Sequence, residues 1–278
     1  MSPAEPHGHG AHGHGTHGID LSRLLELDGI VHADLLDSAM SQIAALTRSS
    51  SAVRRVLDIG AGAGNGTLAL AHCFSSAEVV AVDIADTMLA RVRERAQAAG
   101  LGERVTTLRG DVCAASTELV GSDLVWASAS LHEVSDPAGA FRKLYDSLRP
   151  GGLLAILEMD APSRVLPAED ADWEERLRAA GGGSPADHPD WTEQIAAAGF
   201  TSMRTTQLVQ DQMMAADGPA GEYAALELRR VAHGLRGDLG DQDRRVLDAL
   251  IGEGPGSVHG LGELWIRGTR TLWTARRP

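Results

Sequence analysis

Three glycines and two acidic residues give the clearest chemical signal in this sequence. Gly60, Gly62 and Gly64 alternate directly after Asp58, within the segment VLDIGAGAGNGTLAL. A turn this tight needs residues that tolerate positive φ and have no Cβ, so that a ligand can lie against the backbone. Asp83 ends the next apolar run, VVAVD, where a carboxylate can accept hydrogen bonds from both hydroxyls of a ribose. We therefore predict a loop that binds a cofactor containing adenosine.

The glycine pattern does not complete the fingerprint G-x-G-x-x-G of dinucleotide-binding proteins. Counted from Gly60, the third glycine is replaced by Asn65, and counted from Gly62 it is replaced by Thr67. A further acid, Asp111 in RGDV, follows the third predicted strand and can accept from the exocyclic amine of a base. Three acids at neighbouring strand ends would repel a pyrophosphate and suit a positively charged ligand. The pattern favours a sulfonium cofactor over a nicotinamide one.

Polar residues that could handle a proton follow the fourth and fifth predicted strands. In open α/β sheets, ligands bind in the crevice beyond the carboxyl ends of the strands. Histidine exchanges a proton near neutral pH, so His132 is a candidate base. The alternative is that His132 hydrogen-bonds the loop backbone or lies beside the cofactor. The segments SASLHEV and EMD together supply Ser128, Ser130, His132, Glu133, Glu158 and Asp160.

The elements that position these residues alternate between short apolar runs and helical segments. Strands alternating with helices are typical of parallel βαβ units, so we predict an α/β fold with a doubly wound, mostly parallel sheet. The run GLLAIL, from Gly152 to Leu157, indicates a strand buried on both faces. The predicted strands are Val53–Ile59, Glu78–Val82, Arg104–Arg109, Ser122–Ala127, Gly152–Leu157 and Ser202–Leu208, followed by a last strand near the end of the chain.

Changes in composition divide the chain into five parts. Residues 1–18 alternate His with Gly and predict a disordered tail. Residues 19–50 predict a helical cap of two helices separated near Gly29, and residues 51–160 form the core. Residues 161–188 are a predicted cap insertion. Residues 189–278 complete the sheet, with a helical insertion at about 212–258 that includes Met213, Met214 and Tyr223.

Composition excludes several classes of protein. The chain has 278 residues and a formal net charge of −13, which would repel nucleic acid and anionic membranes. Its two cysteines are too few for a disulfide framework. No apolar run is long enough to span a bilayer, and the N-terminus lacks the pattern of a signal peptide. We expect a soluble cytoplasmic protein, a monomer or homodimer, that binds a small molecule.

Four motifs together resemble a known family. DIGAGAG, VDIADTML, RGDV and LRPGG are similar, in order and spacing, to the motifs of class I S-adenosylmethionine-dependent methyltransferases, over about residues 53–160. The resemblance implies a Rossmann-like sheet of seven strands in the order 3-2-1-4-5-7-6, with strand 7 antiparallel and helical cap elements. It also implies S-adenosylmethionine as cofactor and S-adenosylhomocysteine as product.

The resemblance assigns a role to each candidate residue. Asp58 and the loop Gly60, Ala61, Gly62 and Gly64 would approach the methionine portion of the cofactor. Asp83 would bind the ribose. The remaining cofactor-binding residues are Ile84 on the adenine face, Asp111 and Val112 at the adenine, and Ser128 at the end of the fourth strand.

We therefore expect an enzyme that methylates oxygen or nitrogen of a small molecule, such as a specialised metabolite, with His132 as the candidate catalytic residue. One alternative is an enzyme of the same fold that binds S-adenosylmethionine but catalyses a non-methylating reaction. Another is a metal-handling protein that uses the His-rich tail. Because the tail lacks the ligand spacing of a structural site, we predict no built metal site and at most adventitious metal there.

Overall fold

Seven strands form one sheet in the computed structural model, which describes residues 20–48, 52–112, 119–180, 190–235 and 239–278. The predicted disordered tail at residues 1–18 lies outside these ranges, as does part of the predicted insertion at 161–188. The strands are β1 (Arg55–Ile59), β2 (Glu78–Asp83), β3 (Val105–Arg109), β4 (Ser122–Ser128), β5 (Leu148–Met159), β6 (Thr201–Ala215) and β7 (Glu263–Arg276). The helices are α1 (Leu21–Val31), α2 (Ala33–Thr47), α3 (Asn65–Cys73), α4 (Asp86–Ala98), α5 (Pro137–Ser147), α6 (Ala171–Ala180), α7 (Thr192–Ala197), α8 (Pro219–Gly234) and α9 (Asp241–Ile251).

The strand order confirms the predicted fold class. The order is β3-β2-β1-β4-β5-β7-β6, and strands β1 to β5 pair in parallel. Strand β7 runs antiparallel to both of its neighbours. The carboxyl ends of β1 to β5 consequently meet at one edge of the sheet, which is where ligands bind in folds of this type.

Helices cover both faces of the sheet. On one face, α2, α3 and α4 bury Ile43, Leu70 and Val92 against the strands. On the other face, α5 and α7 bury Phe141 and Ile195. Burial of both faces explains the continuous apolar runs of the central strands.

A third apolar cluster lies above the sheet and forms a unit that we call the cap. The cap consists of α1, α6, α8 and α9 with the strand ends 213–215 and 263–266. Leu27, Leu177, Leu228, Leu250 and Ile266 are buried together within it. Helix α1 therefore shares its apolar contacts with the cap, whereas α2 packs on the sheet.

Two predicted boundaries were wrong. The first two helices separate at His32, and Gly29 lies within α1. A Cβ at Gly29 would lie 2.2 Å from Asn65 Cγ. Glycine at this position therefore lets α1 pack closely against Asn65, and it does not break the helix. The helical insertion was predicted to begin at about 212, but β6 continues to Ala215 because it pairs with β7 as far as Glu263. Met213 and Met214 therefore belong to a strand.

No helix of the described ranges is long and apolar enough to cross a membrane.

Candidate active site

The glycine loop is anchored to the strand beside it. Gly60, Gly62 and Gly64 have φ values of 67°, 50° and 89°, which favour glycine over residues with a side chain. The backbone N–H groups of Gly60 and Ala61 donate to the carbonyl oxygen of Val82 at 2.8 and 3.0 Å. The loop thus turns tightly at the end of β1 and leaves backbone exposed to the crevice.

Gly60 also permits a close contact with the loop after β4. A Cβ on Gly60 would lie 2.3 Å from the Cβ of Ser130. The Ser130 hydroxyl donates to the carbonyl oxygen of Ile59 at 3.0 Å. The glycine loop and the loop that carries His132 are therefore in direct contact.

Asp83 lies at the end of β2 and holds the glycine loop. One carboxylate oxygen accepts from the backbone N–H of Gly62 at 2.9 Å, and the other accepts from the N–H of Ala85 at the same distance. Each oxygen has a further lone pair, and the side chain is partly exposed at the crevice. The carboxylate can therefore position the loop and still accept hydrogen bonds from a ligand.

Asp58 lies beneath the glycine loop and is only 1% exposed. It accepts a hydrogen bond from the Thr67 hydroxyl at 2.5 Å. Burial, together with the nearby charge of Asp83, raises the pKa of Asp58 to about 7, although the Thr67 hydrogen bond acts in the opposite direction. Asp58 is therefore a buried carboxyl group that titrates near neutral pH.

The remaining predicted cofactor residues lie along the same edge. The N–H of Gly110 donates to the carbonyl oxygen of Asp83, which places the segment containing Asp111 and Val112 beside the end of β2. Ile84 is 68% exposed, while Val112 is buried. Ser128 ends β4 and is half-buried. Asp58 lies one residue before the end of β1, and the other nine predicted cofactor-binding residues end or follow neighbouring strands at the carboxyl edge.

His132 is oriented by a buried carboxylate. Its Nδ1 lies 3.1 Å from Glu158 Oε2, and Glu158 is only 3% exposed. The other Glu158 oxygen accepts from the backbone N–H groups of Ser130 and Leu131 at 3.3 and 3.1 Å. Glu158 belongs to β5 and not to the loop after it. The rigid strand therefore fixes both the imidazole ring and the loop that carries it.

The second nitrogen of His132 is turned away from Glu158. Its Nε2 lies 3.5 Å from Glu133 Oε1, and the Glu133 side chain is largely exposed. Because an ionised carboxylate only accepts hydrogen bonds, Glu158 favours the tautomer that carries the proton on Nδ1. In that tautomer Nε2 has a lone pair that can accept a proton.

Sequence reasoning missed the contact between α1 and the glycine loop. The Asn65 side chain donates to the carbonyl oxygen of Leu25 at 2.6 Å and accepts from Arg95 at 2.9 Å. A Cβ on Gly62 would lie 3.4 Å from the Leu25 side chain. Asn65 thus joins the loop to α1 and α4. The only local signal of this contact was Asn65 itself, which stands where the dinucleotide fingerprint has a glycine, because its partner Leu25 is distant in sequence.

The described residues contain no group of three His, Cys, Asp or Glu side chains that could hold a metal ion. The histidines of the tail lie outside the described residues, so the metal-handling alternative stays a hypothesis.

Comparisons with known proteins agree with the fold and the motifs. Residues 56–152 match the family model of the methyltransferase domain. A trans-aconitate 2-methyltransferase from Acidovorax sp. (strain JS42) is 34% identical over 138 residues, which are 48% of this chain and 51% of that protein. A demethylmenaquinone methyltransferase from Thermus thermophilus is 35% identical over 113 residues, or 41% of this chain and 50% of that protein.

One solved structure of similar fold covers most of the chain. A putative sarcosine dimethylglycine methyltransferase from Galdieria sulphuraria is 17% identical with a TM-score of 0.53, over 87% of this chain and 84% of that chain. This likeness concerns the fold alone. The chain spans about half the length of the curated relatives that it matches. Within that span, the match of residues 56–152 to the methyltransferase domain agrees with the resemblance of the four motifs to the class I S-adenosylmethionine-dependent methyltransferases.

Proposed function

We propose that the protein transfers a methyl group from S-adenosylmethionine to an oxygen or nitrogen atom of a small molecule. The observation that carries the proposal is the pairing of His132 with buried Glu158 next to a glycine loop of the family type. A proton acceptor and a cofactor loop are thereby held at one edge of the sheet.

The residues of the loop fit the cofactor of the family. Gly60, Gly62 and Gly64 adopt positive φ, which glycine tolerates best, so the loop can turn tightly at the end of β1 beside the crevice. Asp83 keeps lone pairs for the ribose hydroxyls, and Ile84 offers an exposed apolar surface for the adenine. Asp111 and Val112 would contact the adenine edge, and Ser128 the methionine end. When bound, S-adenosylmethionine supplies a methyl group on a positively charged sulfur and leaves as S-adenosylhomocysteine.

His132 would remove the proton that the acceptor loses. Its Nε2 would accept that proton as the acceptor atom attacks, and Glu158 would stabilise the resulting imidazolium through Nδ1. The two backbone N–H groups that bind Glu158 prevent the carboxylate from rotating away. The cap would exclude water and hold the acceptor in line, which supplies much of the rate of a simple displacement.

The names of the relatives do not single out one acceptor, because trans-aconitate and a menaquinone precursor differ in charge and size. Both are small molecules. The net charge of −13 also makes a nucleic-acid acceptor unfavourable.

The proposal is tested with purified full-length protein, S-adenosylmethionine and a panel of small hydroxyl and amine compounds. We expect release of S-adenosylhomocysteine only when a suitable acceptor is present, with the acceptor gaining one methyl group by mass spectrometry. Conversion of an acceptor without a gain of methyl would overturn the proposal in favour of a non-methylating reaction on the same fold. Release of S-adenosylhomocysteine that does not depend on any acceptor would also contradict it.

A further inference from the structure

A cleft of about 430 Å³ lies on the face of the sheet that α2 covers, and we call it the arginine cleft. Sites for small molecules commonly measure about 300 to 1,000 Å³ and combine apolar walls with a few polar groups. The arginine cleft has this size and this mixture. Its lining includes Leu46 of α2, Leu153 of β5, Ser202 and Arg204 of β6, and Thr274 and Arg276 of β7.

The arginine cleft is separate from the candidate active site. Leu153 precedes Glu158 by five residues in β5, which corresponds to about 16 Å along the strand. Strand β5 runs parallel to β4, so the cleft lies toward the amino edge of the sheet. The glycine loop and His132 lie at the carboxyl edge. A ligand in the arginine cleft would therefore occupy neither the cofactor site nor the space beside His132.

A bulge in β6 places a charged side chain in the arginine cleft. Thr201 of β6 pairs with Arg276 of β7. Two residues earlier in β7, Thr274 pairs with Arg204, whereas a regular ladder would pair it with Met203. Met203 instead packs against the apolar cluster on the other face of the sheet. The extra residue thus presents a guanidinium group to the cleft where regular pairing would present a methionine.

Arg204 is available to bind an anion. Its side chain is exposed and makes no hydrogen bond or ion pair with the residues that the structure describes. None of the described residues that line the arginine cleft is acidic, although the chain as a whole has a formal net charge of −13. A guanidinium group presents its N–H groups as a planar fork that matches a carboxylate or a phosphate.

Thr274 supplies a second polar group to the arginine cleft. The residue is only 5% exposed, yet it lines the cleft. Its hydroxyl has no hydrogen-bond partner within the described ranges of the chain. Because buried polar groups are nearly always hydrogen-bonded in folded proteins, this hydroxyl is suited to an oxygen atom of a molecule in the cleft.

Arg276 contributes charge to the arginine cleft and no free fork. Its Nη1 donates to the carbonyl oxygen of Gly151 at 2.8 Å, and its Nη2 donates to that of Leu46 at 2.5 Å. The second bond satisfies a carbonyl group near the C-terminal end of α2, whose partial negative charge would otherwise oppose an anion. The fixed guanidinium of Arg276 therefore favours negative charge beside Arg204.

We propose that the arginine cleft binds a small organic anion that carries a carboxylate or phosphate head group and an apolar portion. Arg204 binds two oxygen atoms of the head group, and the Thr274 hydroxyl donates to one of them. Leu46 and Leu153 contact the apolar portion. Because this site lies apart from the carboxyl edge, the anion and the cofactor can be bound at the same time.

Calorimetry on the full-length protein tests the proposal with four probes. Phenyl phosphate and phenylacetate carry the two head groups, phenylacetamide lacks the charge, and inorganic phosphate lacks the apolar portion. We expect at least one of the two organic anions to bind at one site per chain, at least about 10-fold more tightly than phenylacetamide and inorganic phosphate. Its affinity should stay within about twofold when S-adenosylhomocysteine is added, because the two sites are separate.

Two variants remove the proposed contacts, and a third serves as the control. Arg204→Gln should weaken binding of the better organic anion at least about 10-fold, and Thr274→Val should weaken it about 3- to 10-fold. Arg142→Gln changes an exposed arginine of α5, on the other face of the sheet, and should leave the affinity within about twofold. Both test variants should fold, since Arg204 is exposed and valine has nearly the shape of threonine; circular dichroism checks this.

Three results would overturn the proposal. The first is the absence of organic-anion binding to the parent protein up to about 10 mM. The second is an affinity that Arg204→Gln leaves unchanged. The third is competition between the anion and S-adenosylhomocysteine, which would place the anion at the carboxyl edge of the sheet.

Discussion

Replacement of Asp58 by Asn should make the stability of the protein less dependent on pH. Asp58 is buried, and its pKa rises from an ordinary 3.8 to about 7 mainly because burial disfavours the charged form. Between these two values the folded protein keeps a proton that the unfolded chain releases. The free energy of unfolding contributed by Asp58 therefore falls as pH rises from about 4 to about 7, and then stays low.

The size of the effect follows from the shift. A shift of one pKa unit corresponds to about 1.4 kcal/mol, so a shift of about three units corresponds to about 4 kcal/mol. The asparagine side chain of this variant would have no charge to bury and could still accept a hydrogen bond from the Thr67 hydroxyl. We therefore expect the effect of Asp58→Asn on the free energy of unfolding of the ligand-free protein to depend on pH. This effect should be about 4 kcal/mol more stabilising at pH 8 than at pH 4, and most of the change should occur below pH 7.

Urea unfolding followed by circular dichroism at pH 4, 5, 6, 7 and 8 measures this difference. The free energy of unfolding of Asp58→Asn minus that of the parent should increase by about 1.4 kcal/mol for each pH unit up to pH 7. Asp86→Asn, at a largely exposed carboxylate of α4, reports the background dependence on pH. A gap that stays constant from pH 5 to pH 8, or that narrows, would refute the reasoning about Asp58.

Three further predictions concern the site. Asp83→Ala should weaken binding of S-adenosylhomocysteine by about 100-fold in calorimetry, because it removes the acceptor of the Gly62 N–H and of the ribose; unchanged affinity would contradict the assignment. His132→Ala and Glu158→Gln should each lower kcat by about 100-fold and leave that affinity within about twofold, and a loss of affinity instead of turnover would argue against a proton-transfer role. Asn65→Ala should lower the free energy of unfolding by about 1–3 kcal/mol in urea, since it leaves the Leu25 carbonyl without its donor; no change would mean that α1 is held by its apolar contacts alone.

The core of the fold could be predicted from local patterns. Apolar runs that end in Asp58 and Asp83 identify β1 and β2, and the glycines between them define the turn. These signals are local in sequence, since each strand and its loop are contiguous. The place of β7 between β5 and β6 in the sheet was implied by the resemblance to the family, and the structure confirms it.

The contacts of α1 could not be predicted in the same way. Asp28 accepts a hydrogen bond from Arg270, which lies 242 residues away, and Asn65 lies 40 residues from Leu25. No periodicity links such pairs, because residues this far apart in sequence meet only in the folded structure. The end of β6 was misassigned for a related reason, since Met213 and Met214 suit a helix as well as a strand and only pairing with β7 decides.

Direct binding of the cofactor tests the account most simply. Isothermal titration of S-adenosylhomocysteine into the full-length protein should give saturable binding at one site per chain, and Asp83→Ala should weaken it strongly while His132→Ala should not. Absence of binding to the folded parent protein, shown to be folded by circular dichroism, would contradict the account.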